Sequence, residues 1–318
     1  MLNIFCSPLQ GYTDFVWRRI HHELAGGVQA YYTPFLRMEG GAIRPRDVRD
    51  VAPENNRDVP VIPQIIVSGR DEFCFLTDHL IRQGYEQADI NMGCSFPLQT
   101  KLYRGAGMLP YPARVEELMQ AVTERASQIR CSVKLRLGMD AAGECLALLP
   151  ILNEAPLSQI AVHARTGRMQ FRGQPDMETF ARFAEGCRHP LLFNGDIASC
   201  DDLHQLEKDF PKLSGVLIGR GLLARPTLAR EYIEGITCTE AELLTLILKM
   251  HERLFAHAKE SLQGASQVLS RMQAFWEYQL PSIPKKTYKK LMKAGTLITY
   301  EEALHELVSY TETLSQKQ

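Results

Sequence analysis

The sequence predicts an α/β fold, a (β/α)8 TIM barrel followed by a small C-terminal helical domain. Three observations carry this prediction. Short β-type apolar runs alternate with longer segments of helical periodicity through about the first 230 residues, close to the roughly 250 that eight βα units usually take. Several of the short runs are apolar almost throughout, as in Val61-Ile62 with Ile65-Ile66-Val67 and in Gly215-Val216-Leu217-Ile218. Strands buried on both faces of a parallel sheet read this way. After about Arg230 no strand candidate appears, and only helix-type segments remain. A doubly wound open sheet is the competing arrangement. The lack of a GxGxxG after the first strand weighs against its dinucleotide-binding form.

The strands are expected at Asn3–Leu9, Ala30–Leu36, Pro60–Val67, Ala88–Met92, Ser132–Leu137, Gln159–His163, Pro190–Asn194 and Gly215–Ile218. Between them Asp71–Gly84, Ala113–Arg130 and Asp202–Phe210 carry apolar residues at helical spacing. Pro112 stands where a helix would begin and a missing N–H costs little. Thr239-Glu240-Ala241-Glu242 has the form of a capping box before an apolar run. Helices are therefore expected at Glu240–Lys259, Ala265–Tyr278, Pro284–Met292 and Tyr300–Thr313. The division this implies is a barrel over residues 1–232 and a helical domain over 233–318.

Lys plus Arg number 36 and Asp plus Glu 37, a formal charge of −1. A uniformly basic nucleic-acid binder is excluded, although a local basic patch is not. With 45% hydrophobic and 23% charged residues the chain has ample apolar surface to bury, so disorder is excluded as the main state. The 8 cysteines form no CxxC and no zinc-type spacing, so no metal site is expected. Scattered thiols suit a reducing compartment, and a cytoplasmic location is expected. The first residues carry no basic n-region and no stretch of 18 apolar residues occurs, so neither a signal peptide nor a membrane helix is expected.

Barrel chemistry sits at the C-terminal ends of the strands, so the polar residues there are the candidates. The first strand ends in Ser7-Pro8-Leu9-Gln10-Gly11-Tyr12-Thr13-Asp14, and Gln64 interrupts the third. The fourth ends in Asn91-Met92-Gly93-Cys94, and the fifth carries Lys134 and Arg136 on one face. The sixth, seventh and eighth end in His163-Ala164-Arg165-Thr166, Asn194-Gly195-Asp196 and Ile218-Gly219-Arg220-Gly221. Each alone has a structural reading: a satisfied amide or histidine, a small buried cysteine, an ordinary βα turn. Lys134 is harder to place in an apolar strand, because lysine is rarely buried unpaired. Together they fit flavin mononucleotide. The glycine loops after strands seven and eight would take the phosphate, with Arg220 adding a fixed charge. Gln64 and Asn91 would meet the ring edge, and Lys134 would stabilise negative charge on the reduced ring.

The same residues, in order along the barrel, resemble the tRNA-dihydrouridine synthases. Ser7-Pro8-Leu9-Gln10-Gly11-Tyr12-Thr13-Asp14 is similar to the family's Ala-Pro-Met-x-Gly-x-Thr-Asp. Asn91-Met92-Gly93-Cys94, with Gly105-Ala106 following, resembles its Asn-x-Gly-Cys segment. Val133-Lys134-Leu135-Arg136-Leu137-Gly138 and His163-Ala164-Arg165-Thr166, the latter with Gln170 and Gly173, resemble its Val-Lys-x-Arg-x-Gly and His-x-Arg-Thr. Asn194-Gly195-Asp196-Ile197 and Ile218-Gly219-Arg220-Gly221 complete the set.

The resemblance implies reduction of uridine to 5,6-dihydrouridine in tRNA, with FMN recharged by NADPH and Cys94 as proton donor. It implies that Pro8, Leu9, Gln10, Gln64, Lys134, His163, Asn194, Gly195, Asp196, Gly219 and Arg220 hold FMN. Asn91, Arg136 and Arg165 would lie near the flavin or the flipped uridine. The expected partner is tRNA, with no membrane and no metal, and the chain is expected to be a monomer. One departure stands at the centre. The family usually places Pro directly after the cysteine and a base soon after, whereas Cys94 is followed by Ser95-Phe96-Pro97-Leu98-Gln99, with Lys101 and Arg104 later.

In the tail, Lys285, Lys286, Lys289, Lys290 and Lys293 fall within nine residues without an acid between them. They would neutralise tRNA phosphates, or form a solvated helix face. Two other readings stay open: an FMN barrel oxidoreductase with a small substrate, dihydroorotate dehydrogenase-like or ene-reductase-like, and a non-catalytic RNA-binding barrel. The helical tail counts against the first; intact Cys94 and Lys134 count against the second.

Overall fold

The computed structural model describes residues 1–279 and 283–316. Eight parallel strands build the barrel: β1 (Asn3–Cys6), β2 (Ala30–Tyr32), β3 (Val61–Ile62 and Gln64–Ile65), β4 (Gln87–Met92), β5 (Arg130–Gly138), β6 (Leu157–Thr166), β7 (Leu191–Asn194) and β8 (Gly215–Ile218). The ladder runs β3–β2–β1–β8–β7–β6–β5–β4 and returns to β3. Pro63 splits β3 because it has no N–H to give the ladder. The halves on either side pair with opposite neighbours, Val61–Ile62 with β2 and Gln64–Ile65 with β4. This closes the barrel, reinforced by a bridge between Leu36 and Ile65.

All eight expected strands are present. β1 and β2 stop at Cys6 and Tyr32, short of the expected Leu9 and Leu36, while β5 and β6 reach Gly138 and Thr166. Helices Arg70–Arg82, Pro112–Glu124 and Cys200–Asp209 lie where helical spacing placed them, with Pro112 at the first turn of the second. Helices Phe15–Leu24, Glu144–Glu154, Met177–Gly186 and Leu228–Glu234 were not anticipated. Pro150 inside Glu144–Glu154 disguises that helix, since proline there removes a hydrogen bond.

Phe5, Ala30, Tyr32, Ile62, Ala161, Leu192 and Leu217 fill the barrel interior as one apolar cluster. Strand side chains alternate faces, so two residues on from a cluster member points inward again, one layer nearer the C-terminal end. Counting on from Ile62, Ala161 and Leu192 gives Gln64, His163 and Asn194. The fold therefore stacks a polar layer on an apolar floor.

The chain forms two compact units. One holds Met1–Pro8, Gln29–Asp196 and Leu206–Ile218, which contain every barrel strand. The other gathers Leu9–Val28 and Ile197–Gln205 with the chain from Gly219 onward. In this second unit helix Phe15–Leu24 packs on Glu240–Ser261, where Phe15 meets His257 edge-on and Arg253 pairs with Glu23. The Thr239 capping box forms as expected, the Thr239 side chain and Glu242 carboxylate each taking the other's backbone N–H. Helices Ala265–Trp276, Lys285–Lys293 and Leu297–Ser315 complete the unit. Its core is aromatic: Tyr300 accepts from Trp276 Nε1 at 2.6 Å and meets His251 Nε2 at 2.6 Å, and His251 stacks on Trp276. Burial pushes the His251 pKa down to about 3, so the ring is neutral.

Candidate active site

The barrel unit brings Gln64, Asn91, Lys134, Arg136, His163, Arg165 and Asn194 to the C-terminal ends of adjacent strands, all of them buried. Gln64 is fully buried. Its Nε2 donates to Asp89 Oδ2 at 2.7 Å and its Oε1 accepts from Asn91 Nδ2 at 2.7 Å. Asn91 Oδ1 in turn accepts from the backbone N–H of Gly93 at 3.1 Å and of Cys94 at 2.8 Å. Cys94 is held from the other side as well, its carbonyl accepting from Ala106 N–H at 2.9 Å. Gly105 lies at φ +60°, and a Cβ there would come within 2.5 Å of Cys94 O and 2.9 Å of Cys94 Cβ. The Gly-Ala pair that follows the cysteine motif is thus a close backbone contact that only glycine allows.

Lys134 sits opposite Asn91 in the β4–β5 register and is 9% exposed. Its ammonium makes no hydrogen bond or ion pair among the described residues. Burial, then the charge of Arg136, lowers its pKa to about 8, against the opposing pull of Asp89. Burial likewise raises the Cys94 thiol above its usual value, opposed by the Phe96 backbone and by Arg136, Lys134 and Arg37. A thiol so placed stays protonated at neutral pH.

The two arginines tie the mouth loops together. Arg136 donates to Gly93 O at 2.8 Å, Thr166 O at 2.9 Å and Gln170 O at 2.7 Å. Arg165, 0% exposed, forks onto the Asp196 carboxylate, donates to Gly173 O at 2.6 Å and lies 3.4 Å from His163 Nε2. Gln170 and Gly173 present these carbonyls from left-handed backbone, φ +54° and +69°, a conformation glycine adopts freely. Asn194 Nδ2 donates to Leu217 O at 2.7 Å, fastening β7 to β8. Gly195 lies beside the Phe193 ring, where a Cβ would come within 2.5 Å. Pro8 follows β1 and is half-buried.

Leu9, Gln10, Gly219 and Arg220 belong to the second unit. There Thr13 Oγ1 accepts from Leu9 N–H at 2.9 Å, and Asp14 caps helix Phe15–Leu24 by accepting from Trp17 N–H at 3.0 Å. Tyr12 donates to Glu277 at 2.5 Å, and Arg271 pairs with Asp14 at 2.8 Å. Gly219 precedes a short helix, Arg220–Ala224. Lys285, Lys286, Lys289, Lys290 and Lys293 are all exposed on helix Lys285–Lys293, which buries Thr287 and Leu291 instead.

A family model described as dihydrouridine synthase matches residues 5–314. The chain belongs to the dihydrouridine synthase family. It is 23% identical over 323 residues to tRNA-dihydrouridine synthase B of Serratia marcescens, covering 99% of this chain and 93% of that one. To the tRNA-dihydrouridine(16) synthase of Aquipseudomonas alcaligenes it is 26% identical over 239 residues, 72% of this chain and 75% of the relative. Among solved structures, the old yellow enzyme from Trypanosoma cruzi superposes with a TM-score of 0.51 at 10% identity, over 74% of this chain and 89% of that one. Morphinone reductase does so with 0.51 at 11%, over 77% and 88%. At such identities the structural likeness shows the barrel fold alone.

Within this dihydrouridine synthase the segment after Cys94 has its own form. Phe96 leads into a short helix, Pro97–Thr100, that leaves Phe96 56% and Leu98 64% exposed. Arg104 does not supply the missing base to solvent: it is buried, pairs with Glu72 and donates to Met38 O at 3.1 Å. Lys101 is exposed. Sequence reasoning passed over Asp89, a fully buried acid two residues before Asn91. The signal was available, since an acid inside the apolar run Ala88–Met92 needs a partner. Among the described residues no group of His, Cys, Asp and Glu gathers as metal ligands, and no helix is long and apolar enough to cross a membrane.

Proposed function

We propose that this dihydrouridine synthase reduces uridine to 5,6-dihydrouridine in tRNA, with FMN as its flavin, NADPH as the source of electrons and Cys94 as the proton donor. One observation carries the reading. An unpartnered buried ammonium, Lys134, lies in register with the amide that holds the cysteine by its backbone. A buried cation without a partner is costly unless something anionic or electron-rich meets it, and a flavin ring fits that need. Gln64, Lys134, His163, Asn194 and Gly195 on the barrel unit, with Pro8 and Asp196, would hold the flavin there. The family pattern assigns it Leu9, Gln10, Gly219 and Arg220 as well.

When bound, the flavin supplies the hydride for C6 of uracil and regains it from NADPH. The residues of this chain do the rest. Cys94 Sγ–H gives its proton to C5 of uracil, and the thiolate takes another from solvent. The raised thiol pKa keeps that proton in place at neutral pH. Asn91 anchors the cysteine backbone, and Arg136 holds the carbonyl of Gly93 beside it. Lys134 stabilises negative charge that develops as electrons arrive. The uridine must leave its stack to reach a site this deep. The exposed lysines of Lys285–Lys293 would meet tRNA phosphates, and the chain would act as a monomer on its helical domain's grip.

The test is direct. The purified protein, incubated with NADPH and tRNA free of dihydrouridine, should yield nucleosides heavier by two hydrogens, and heat should release FMN. A protein that binds no FMN after reconstitution, or that leaves the tRNA unchanged while oxidising a small enone, would overturn the reading in favour of a small-molecule reductase.

A further inference from the structure

The geometry points to Asp89 as a positioning residue, a buried carboxylate that sets the direction of two side-chain amides and through them holds the backbone of Cys94. The inference rests on the reading of Cys94 as proton donor. Asp89 touches neither the cysteine nor the open mouth. It is 0% exposed on β4, opposite Ser132 of β5 and Gln64 of β3. Ser132 Oγ donates to its Oδ1 at 2.7 Å and Gln64 Nε2 to its Oδ2 at 2.7 Å.

The argument is one of donors and acceptors. An ionised carboxylate only accepts. Gln64 must therefore turn its NH₂ to Asp89, which leaves its carbonyl oxygen for Asn91. Asn91 must then turn its NH₂ to Gln64, which leaves its own oxygen for the N–H groups of Gly93 and Cys94. Reversing either amide would set donor against donor in a buried place, at a cost of a hydrogen bond and an unsatisfied group. Without the carboxylate the Gln64 NH₂ loses its acceptor, and only the Gly93 and Cys94 N–H groups at the far end still hold the direction. Burial lifts the Asp89 pKa to about 6 against the pull of Ser132, Gln64 and Lys134, so the group is ionised under ordinary conditions. The relay has an orientation, and Asp89 anchors its buried end.

The test reads the cysteine amide itself. In protein labelled with ¹⁵N-cysteine, the Cys94 signal is identified by its loss in Cys94→Ser. In Asp89→Leu that amide should shift upfield and exchange with solvent roughly tenfold faster or more. Transfer to tRNA in a single turnover should slow by about tenfold, the lower end for a misplaced group, with tRNA affinity unchanged. Asp89→Asn should recover most of both losses, because its carbonyl can face Gln64 while the Ser132 hydroxyl turns to accept. Gln64→Leu should move the Cys94 amide as Asp89→Leu does, and the double variant should add nothing, as links in series do. If Asp89→Leu does not fold, Gln64→Leu carries the same reading. An unmoved Cys94 amide in either variant, or additive losses in the double, would overturn the inference. The amide measurement needs no tRNA, so it stands apart from any failure to find dihydrouridine.

Discussion

At the barrel mouth Lys134 and Arg165 are 9% and 0% exposed. On helix Lys285–Lys293 five lysines face solvent, and among them only Lys290 has an ion-pair partner in the described residues, Glu306. The two regions use positive charge for opposite ends. Buried charge is expensive, so each cation at the mouth must be satisfied in one geometry. Arg136 and Arg165 find theirs in backbone carbonyls and Asp196, whereas Lys134 has no such partner among the described residues. Exposed charge is cheap and adaptable, suited to a phosphate backbone whose contacts are mostly indifferent to sequence. On the proposed reading, chemistry would use the buried, directed groups and affinity the wet ones.

The largest effect should come from Cys94. Cys94→Ala should lower dihydrouridine formation by about 10²-fold or more, the scale of losing a positioned acid. Flavin binding and reduction by NADPH should persist, since neither needs the thiol. Full activity in Cys94→Ala would mean that water or another group is the acid. In the wild type, alkylation of Cys94 followed against pH should show its inflection above the ~8.5 of a free cysteine, because burial disfavours the thiolate.

Lys134→Met should cut both ways. It should weaken flavin binding by about tenfold, the worth of a hydrogen bond to a charged group. It should also stabilise the flavin-free protein, because a buried unpaired charge is removed. The sign with pH follows from the lowered pKa. Between about 8 and 10.5 the unfolded chain binds more protons at this lysine than the folded one. Wild-type stability without flavin should therefore rise with pH across that window, and the variant should lose that part of the rise. A flavin-free Lys134→Met less stable than wild type at pH 7 would show that the ammonium has a partner after all.

Much of this was legible in the sequence because the barrel's constraints are local. Strands buried on both faces read as apolar runs, and the polar residues that end them stand out against that background. Val133-Lys134-Leu135-Arg136-Leu137 is the clearest case, two charges two apart among apolar neighbours. What sequence could not give is which partner each group takes. Arg136 and Arg165 read as groups near the flavin or the uridine; that their guanidiniums also bind the loops at 166–173 is set by loop paths far along the chain. Asp89 stands out as an acid in an apolar run, but its partners do not, because Gln64 and Ser132 come from neighbouring strands 25 and 43 residues away. The opening motif misled differently. Thr13 and Asp14 read as a strand end, but Asp14 caps helix Phe15–Leu24 and the Thr13 carbonyl accepts from Arg18 within it.

The lysine helix offers a milder test of the same contrast. Neutralising Lys285, Lys286, Lys289 and Lys290 together should weaken tRNA binding and flatten its salt dependence, by roughly 0.7–0.9 in the log–log slope per lost phosphate contact. FMN content and NADPH oxidation should not change. Equal slopes for wild type and variant would leave these lysines as a solvated face.

The smallest effect should separate Lys290 from its neighbours. Its ammonium pairs with Glu306, and the two side chains are 44% and 46% exposed. Such a surface pair contributes about 0–1 kcal/mol, so Lys290→Gln should shift the melting temperature by no more than a few degrees. The pair also neutralises part of the charge that tRNA would see, and a phosphate must compete with the carboxylate for it. Lys290→Gln should therefore flatten the salt slope less than Lys286→Gln or Lys289→Gln. Glu306→Gln should work in the opposite sense, freeing Lys290 and steepening the slope slightly. The measurement is tRNA affinity at four or five salt concentrations for each single variant. A Lys290→Gln slope as shallow as that of Lys286→Gln would mean that tRNA displaces Glu306 at no cost, and that the pair seen here does not persist in the complex.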